Sequence, residues 1–290
     1  KIIDLRSDTV TLPTDDMLQA ITNAKLGDDV FCEDPTVNEL EKKAAQIMGK
    51  ESGLLVPSGT MGNLVSILVH CDRGTEIILE DNAHMFVFEA GGISAFGSVH
   101  SRQLKNQADG TINIEEIKSA IRADNDHFPK TSAITLENTH NLCNGSPLSL
   151  DYIEDVAQIA HNNDMKLHID GARIFNAAVA LDVDVKNLVT SADSVTFCLS
   201  KGLSAPVGSV ICGSKEFIYH ARRNRKALGG GMRQAGIIAA AGIYSLDNML
   251  DQIKEDHKNA QRLAEGIDKI EGLWIDLENI KTNILYFDIE

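Results

Sequence analysis

Two short apolar runs each end on a group that could do chemistry. Residues 166–173 read Lys-Leu-His-Ile-Asp-Gly-Ala-Arg, and the run from Ser194 to Leu199 ends at Ser200-Lys201-Gly202. A lysine amine can form a Schiff base with an aldehyde. A carboxylate can keep a pyridine nitrogen protonated so that the ring accepts electrons. If 166–170 is a strand, His168 and Asp170 share one face and Ile169 takes the other. An acid at the carboxyl end of such a strand lies where open α/β sheets bind ligands. Two neighbouring parallel strands would bring Asp170 and Lys201 to one edge of a sheet, the pairing that pyridoxal 5'-phosphate (PLP) requires. Taken singly, Asp170 reads as a helix cap and Lys201 as a surface lysine. The combination, with Arg173 close behind, favours chemistry.

A phosphate would need its own site, because the chain is acidic. Lys plus Arg is 27 and Asp plus Glu is 42, a net charge of −15. That balance argues against non-specific binding to nucleic acid or to an anionic membrane. Val56-Pro57-Ser58-Gly59-Thr60-Met61-Gly62-Asn63 reads as strand, tight turn and helix. The free N–H groups of a helix start attract anions, and Ser58 and Thr60 add hydroxyls. The most basic stretch is Arg222-Arg223-Asn224-Arg225-Lys226-Ala227-Leu228, followed by Gly229-Gly230-Gly231-Met232-Arg233-Gln234. It reads as a solvated helix face with a glycine loop, or as a loop whose Arg233 reaches a phosphate or a neighbouring subunit. His84 begins a helix after a strand, where it is a surface cap or a flat ring able to lie over a pyridine.

The elements that must position these groups alternate. Strands are expected at 53–57, 76–80, 95–99, 132–137, 166–170, 194–199 and 208–212. Helices are expected after Pro13, from a Thr36 cap to Met48, from Ser58 to Cys71, over 83–90, within 110–122, over 150–163 and near 173–180. This predicts an α/β fold with a mostly parallel seven-stranded sheet covered on both faces. Residues 1–12 form an N-terminal arm and 13–245 the large domain. Residues 235–268 read as a long helical connection, and 283–289 as a strand of something new. The expectation is that 246–290 begins a small C-terminal α+β domain that the chain cuts off, and that the natural start lies before Lys1. With 43% hydrophobic and 24% charged residues the chain is globular. Its five widely spaced cysteines suit free thiols in a reducing cytoplasm, and no apolar run is long enough to span a membrane.

With these residues in hand, the chain resembles the low-specificity L-threonine aldolases, PLP enzymes of the fold-type I, aspartate aminotransferase-like group. The resemblance runs nearly end to end. It rests on Asp4-Leu5-Arg6-Ser7-Asp8-Thr9-Val10-Thr11, Gly27-Asp28-Asp29-Val30, Asp34-Pro35-Thr36-Val37-Asn38 and Glu137-Asn138-Thr139-His140-Asn141. His168-Ile169-Asp170-Gly171-Ala172-Arg173, Leu199-Ser200-Lys201-Gly202 and Gly229 to Gln234 complete it. Phe31, where many relatives carry Tyr, and the loop at Cys143-Asn144-Gly145-Ser146 depart from the pattern.

The resemblance implies retro-aldol cleavage of L-threonine or L-allo-threonine to glycine and acetaldehyde. It implies Lys201 as the Schiff-base lysine, Asp170 as partner of the pyridine nitrogen and His84 stacked on the ring. Ser58, Gly59, Thr60 and Ser200 would line the cofactor, with Arg233 assisting at the phosphate and Lys226 offered across a subunit interface. Ser7 and Arg173 would grip the substrate carboxylate, with a second arginine expected in the C-terminal domain. The β-hydroxyl base would be His84, His127 or a water they hold. Members are typically homotetramers with sites at a dimer interface. The alternatives from other classes are a β-eliminating lyase, a serine hydroxymethyltransferase-like enzyme, and a non-catalytic PLP carrier or sensor.

Overall fold

The computed structural model describes residues 3–290, so the first two residues of the expected arm lie outside the described residues. The arm carries a single 3-10 turn, Asp8–Val10, capped by Ser7. Helix α1 (Asp15–Thr22) starts on a Thr14 cap. Helix α2 (Pro35–Ile47) starts on Asp34, whose carboxylate accepts from the N–H groups of Thr36 and Val37. The cap is thus Asp34 rather than Thr36, because Pro35 suits the first helical position and leaves the residue before it to cap. Strand β1 (Ser52–Val56) leads through Ser58 into α3 (Gly59–His70), and β2 (Glu76–Glu80) follows.

Two short helices come next, α4 (His84–Val87) and α5 (Gly92–Gly97), then β3 (His100–Leu104). Here the sequence misled. The helix expected over 83–90 is one turn, and the strand expected over 95–99 is helix to Gly97 and then irregular backbone leading into β3. Gly91 and Ser98 take left-handed conformations, so the apolar residues between them close a short helix. The chain continues through α6 (Ile114–Ala120), β4 (Thr131–Glu137), α7 (Leu150–Asn162), β5 (Lys166–Asp170), α8 (Ile174–Leu181) and α9 (Val185–Val189). It then runs through β6 (Ser194–Cys198), β7 (Ser209–Gly213) and α10 (Lys215–Ala227). The expected long helix is broken at Met249 into α11 (Gly236–Asn248) and α12 (Leu250–Ile267). Of the strand expected over 283–289, only β9 (Asp288–Ile289) forms, paired with β8 (Leu273–Trp274).

The seven longer strands form one sheet in the order β1-β7-β6-β5-β4-β2-β3, in which only β7 runs against the others. Side chains alternate between the two faces. Ile169 and Val195 join the large apolar core with Val156 and Ala157 of α7, while Leu54, Val65 and Ile211 pack on the other face with Phe217 of α10. Residues near the chain's end form a small cluster of their own around Ala264, Ile267 and Ile275. Among the described residues no helix is long and apolar enough to cross a membrane.

Much of the basic stretch is structural. Arg225 is buried and donates to Asp29 Oδ2 and to the Leu55 carbonyl, both at 2.7 Å. Arg222 donates to Glu41 at 2.7 Å. Asp29 and Glu41 therefore answer the arginines of α10 across the fold. Replacing Arg225 with Met leaves the buried Asp29 carboxylate with only the longer Arg222 contact. We expect a loss of ~3–5 kcal/mol in urea unfolding, and a loss under about 1 kcal/mol would show that this pair contributes little.

Candidate active site

Strands β5 and β6 are parallel neighbours, with Asp170 paired to Thr196 in register. Asp170 ends β5, and Lys201 lies in the turn three residues beyond the end of β6. Gly171 turns the chain sharply, and its N–H donates to the Thr196 carbonyl at 2.8 Å. The acid and the amine thus reach the same edge of the sheet, as the sequence indicates. The N-terminal arm folds over this edge. Thr11 Oγ1 donates to the Lys201 carbonyl at 2.8 Å, tying the arm to the lysine turn.

Asp170 is buried and doubly held. Its Oδ2 accepts from Asn63 Nδ2 at 2.8 Å, and its Oδ1 from the Ala172 N–H at 3.1 Å. The second Asn63 amide hydrogen goes to Glu89 Oε1 at 2.9 Å. Glu89 in turn meets His84 Nδ1 at 2.9 Å. One polar atom from each of His84, Glu89 and Asp170 lies within 4.8 Å of the others. The Glu89 carboxylate pushes the His84 imidazole above its ordinary value, and burial pushes Glu89 up as well. His84 is also fixed from behind, because its backbone N–H donates to Glu137 Oε2 at 2.6 Å.

The α3 start is open toward the same edge. Ser58 Oγ accepts from the Met61 N–H, and the N–H groups of Gly59 and Thr60 have no partner among the described residues. Two glycines permit the packing here. A Cβ on Gly62 would meet the Thr196 methyl at 2.5 Å, so α3 lies directly on β6. A Cβ on Gly230 would strike the Met61 sulfur, so the glycine loop presses on the first turn of α3. Lys226, exposed at the end of α10, is beside that loop. Arg233 is exposed and pairs with Asp28 Oδ2 at 3.0 Å.

Arg173 is buried and occupied by the protein itself. Its Nε donates to Asp8 Oδ2 at 2.8 Å and its Nη2 to Asp8 Oδ1 at 2.7 Å. Its Nη1 donates to Asn141 Oδ1 at 3.1 Å. One N–H on each terminal nitrogen is left over, the number that a carboxylate ligand would take. Asp8 is further held by Asn283 Nδ2 at 3.0 Å. Ser7, next to it, accepts from Thr9 and is half-buried. Ser200 precedes Lys201 in the turn. His127 stands apart. It is exposed in the loop before β4, at the end of the sheet opposite to Glu137, and β4 separates the two by ~20 Å.

Asn63, Glu89, Asn141, Asp8 and Glu137 belong to this site and the sequence reading gave none of them a role. Asp8, Asn63, Glu137 and Asn141 lie inside the motifs named above and Glu89 lies outside them, and a polar residue in a largely apolar helix is the signal for Asn63.

The donor set fits a planar ring with an anionic tail: an acid for a ring nitrogen, an imidazole able to cover a ring, an amine for an aldehyde, and unpartnered N–H groups for a phosphate. Sheet, crossover and site together define a fold-type I α/β protein with a lysine–aspartate centre. The beta-eliminating lyase family matches residues 4–290. The chain is 52% identical over 291 residues to low-specificity L-threonine aldolase 1 of Arabidopsis thaliana, covering 99% of this chain and 81% of that one. It is 45% identical over 285 residues to the low specificity L-threonine aldolase of Escherichia coli strain K12, covering 98% and 84%. The chain belongs to the beta-eliminating lyase family and, within it, to the low-specificity L-threonine aldolases. The solved threonine aldolase of Leishmania major shares the fold, with a TM-score of 0.78 at 16% identity over 93% of this chain and 80% of that one.

Behind the site two glutamates are buried among carboxylates. Glu80 Oε1 accepts from the Glu137 N–H at 3.0 Å, while its Oε2 has no partner. Burial pushes Glu80 up to about 8. Burial, then the Asp170 charge, pushes Glu137 up to about 7. The folded chain keeps these protons after the unfolded chain has released its own near 4.5, so stability falls as pH rises through that window toward 8. Glu80→Gln should remove one such proton. It should lose less stability than the wild type between about pH 5 and about pH 8 in urea unfolding, and equal losses would place the raised group elsewhere.

Proposed function

We propose that this chain is a PLP-dependent aldolase that cleaves the Cα–Cβ bond of L-threonine and L-allo-threonine, giving glycine and acetaldehyde. The observation that carries the reading is the convergence of Asp170, Lys201 and Arg173 at one sheet edge. The names of its relatives support it.

PLP, when bound, supplies an electron sink for the bond that breaks. The rest falls to the protein. Lys201 offers the amine for the aldehyde, and its charge is felt by both Asp8 and His84. Asp170 faces the ring nitrogen, fixed by Asn63. The N–H groups of Gly59 and Thr60, with the Ser58 and Thr60 hydroxyls, receive the phosphate at the positive end of α3. Lys226 and Arg233 bracket the glycine loop that presses on that end, and a neighbouring subunit is the natural place for them to act. Arg173 presents its two remaining N–H groups to the substrate carboxylate, with Ser7 beside it. Asp8 is the positioning residue that holds the guanidinium side-on.

We assign the β-hydroxyl proton to His84. With Nδ1 engaged by Glu89, its Nε2 is free to take a proton, and the carboxylate raises its basicity. His127 would need a second chain to reach the site. The family's name keeps β-elimination as the rival reading, and substrate comparison separates the two. We further infer that residues 246–290 begin a second domain, from the separate apolar cluster there, and that the working form is a homotetramer in the cytoplasm.

Threonine and allo-threonine should release acetaldehyde in an alcohol dehydrogenase-coupled assay, while tryptophan and tyrosine should release no indole or phenol. The opposite pattern would sink the aldolase reading. After borohydride treatment of holoenzyme, mass spectrometry should find the cofactor on the peptide carrying Lys201, and Lys201→Ala should lose both adduct and turnover. Asp170→Asn should keep the adduct but slow turnover ~10³–10⁵-fold, by losing ~4–7 kcal/mol of transition-state stabilisation. Near-normal turnover would put the ring partner elsewhere.

A further inference from the structure

The sheet face beneath α3 should be apolar throughout, yet a polar seam divides it. On one side lies the cluster of Ile67, Ile77 and Leu79, on the other that of Leu54, Val65 and Ile211. Between them His168, Ser194, Thr196 and Asn63 are all buried. Polar groups buried this way cost stability unless they are paired. Nothing in the reaction described above uses His168, Ser194 or His70.

Their contacts form one line. His70 Nε2 lies 2.7 Å from Ser194 Oγ, which lies 2.8 Å from His168 Nδ1. His168 Nε2 lies 3.2 Å from Asn63 Oδ1, and Asn63 Nδ2 lies 2.8 Å from Asp170 Oδ2. His70 and Asn63 sit two turns apart on the same face of α3. The far end of the line lies at a surface cleft of about 600 Å³, lined by His70, Lys166 and Asp193 at the opposite end of the strands from Asp170.

The direction of every hydrogen bond follows. Two carboxylate oxygens, from Glu89 and Asp170, face the Asn63 Nδ2, so that atom donates both its hydrogens and Oδ1 faces His168. An amide oxygen only accepts, so His168 Nε2 carries a hydrogen. Burial keeps His168 neutral, pushed down to about 3, so its Nδ1 is bare and accepts from the Ser194 hydroxyl. Ser194 has then spent its one hydrogen and accepts from the Nε2–H of His70. Each donor in the line points toward Asp170.

We propose that His168, oriented by Ser194 and His70, is a positioning residue for Asp170. It fixes the Asn63 amide in the one orientation that presents N–H to Asp170 Oδ2, and so keeps that carboxylate an acceptor facing a ring nitrogen. The role rests on the reading of Asp170 as the partner of the PLP ring nitrogen; the tautomers themselves do not.

The test has two arms. In the apoenzyme labelled with ¹⁵N-histidine, two-bond ¹⁵N–¹H correlation at neutral pH should show His70 and His168 as neutral Nε2–H tautomers. An Nδ1–H tautomer or an imidazolium at His168 would overturn the line without using any variant. In holoenzyme carrying ¹⁵N-labelled PLP, Ser194→Ala and His168→Phe should move the ring-nitrogen shift toward the unprotonated range. They should also lower kcat about tenfold with KM for threonine nearly unchanged. A folded variant with both the ring shift and kcat unchanged would overturn the positioning role. Failure of the Lys201 adduct alone would instead refute the cofactor reading and leave the tautomer result standing.

Discussion

One amide nitrogen, Asn63 Nδ2, stands between the carboxylates of Glu89 and Asp170, and the site is arranged to make that contact tolerable. Unpaired like charges in a buried place raise one another's proton affinity. Here the two acids share a neutral donor, and Glu89 is also paired with His84. Further back, burial first and the neighbouring carboxylates second raise the proton affinity of Glu80 and Glu137. An acidic chain thus builds a site with several carboxylates in a small volume by grading them. One ends β5 at the site edge, one pairs with an imidazole, and two lie behind with their proton affinity raised.

The same crowding explains why the N-terminal arm matters. Arg173 is a buried cation, and Asp8 gives it a partner from a segment that otherwise has only one turn of structure. Burial alone would depress the guanidinium, and Asp8 reverses that. The arm is stitched down by Thr11 on the lysine turn and by Asn283 from near the chain's end. Residues remote in sequence therefore meet over the edge where Asp170 and Lys201 emerge.

The strands and the acid–amine pair were legible in the sequence because both rest on local rules. Apolar runs of strand length are readable, and two parallel strands leave little freedom in where their ends point. The errors fell where local signals compete. Residues 95–99 are apolar enough for a strand, but left-handed Gly91 and Ser98 close 92–97 into a helix. The 235–268 stretch is helix-forming throughout, and the break at Met249 has no glycine or proline to announce it. The partners of Asp170 and Arg173 were invisible for another reason. Asn63, Asp8 and Asn141 matter through contacts with distant residues, and no spacing along the chain encodes them.

The sheet order has a consequence for how the molecule is made. Strand β1 holds Leu54, Leu55 and Val56 fully buried, and among the described residues its only neighbour in the sheet is β7. Val56 must wait for Ser209, about 150 residues later. At ribosomal speeds of ~5–20 residues per second, that is about 8–30 seconds during which an apolar strand exists without its partner. Helices α2 and α3 flank β1 in sequence and are complete long before β7 exists, so they are the parts able to shield it. The turn at Ser58 joins β1 to α3, and it therefore takes its final setting only when the sheet closes around it, once Ser209 has been made.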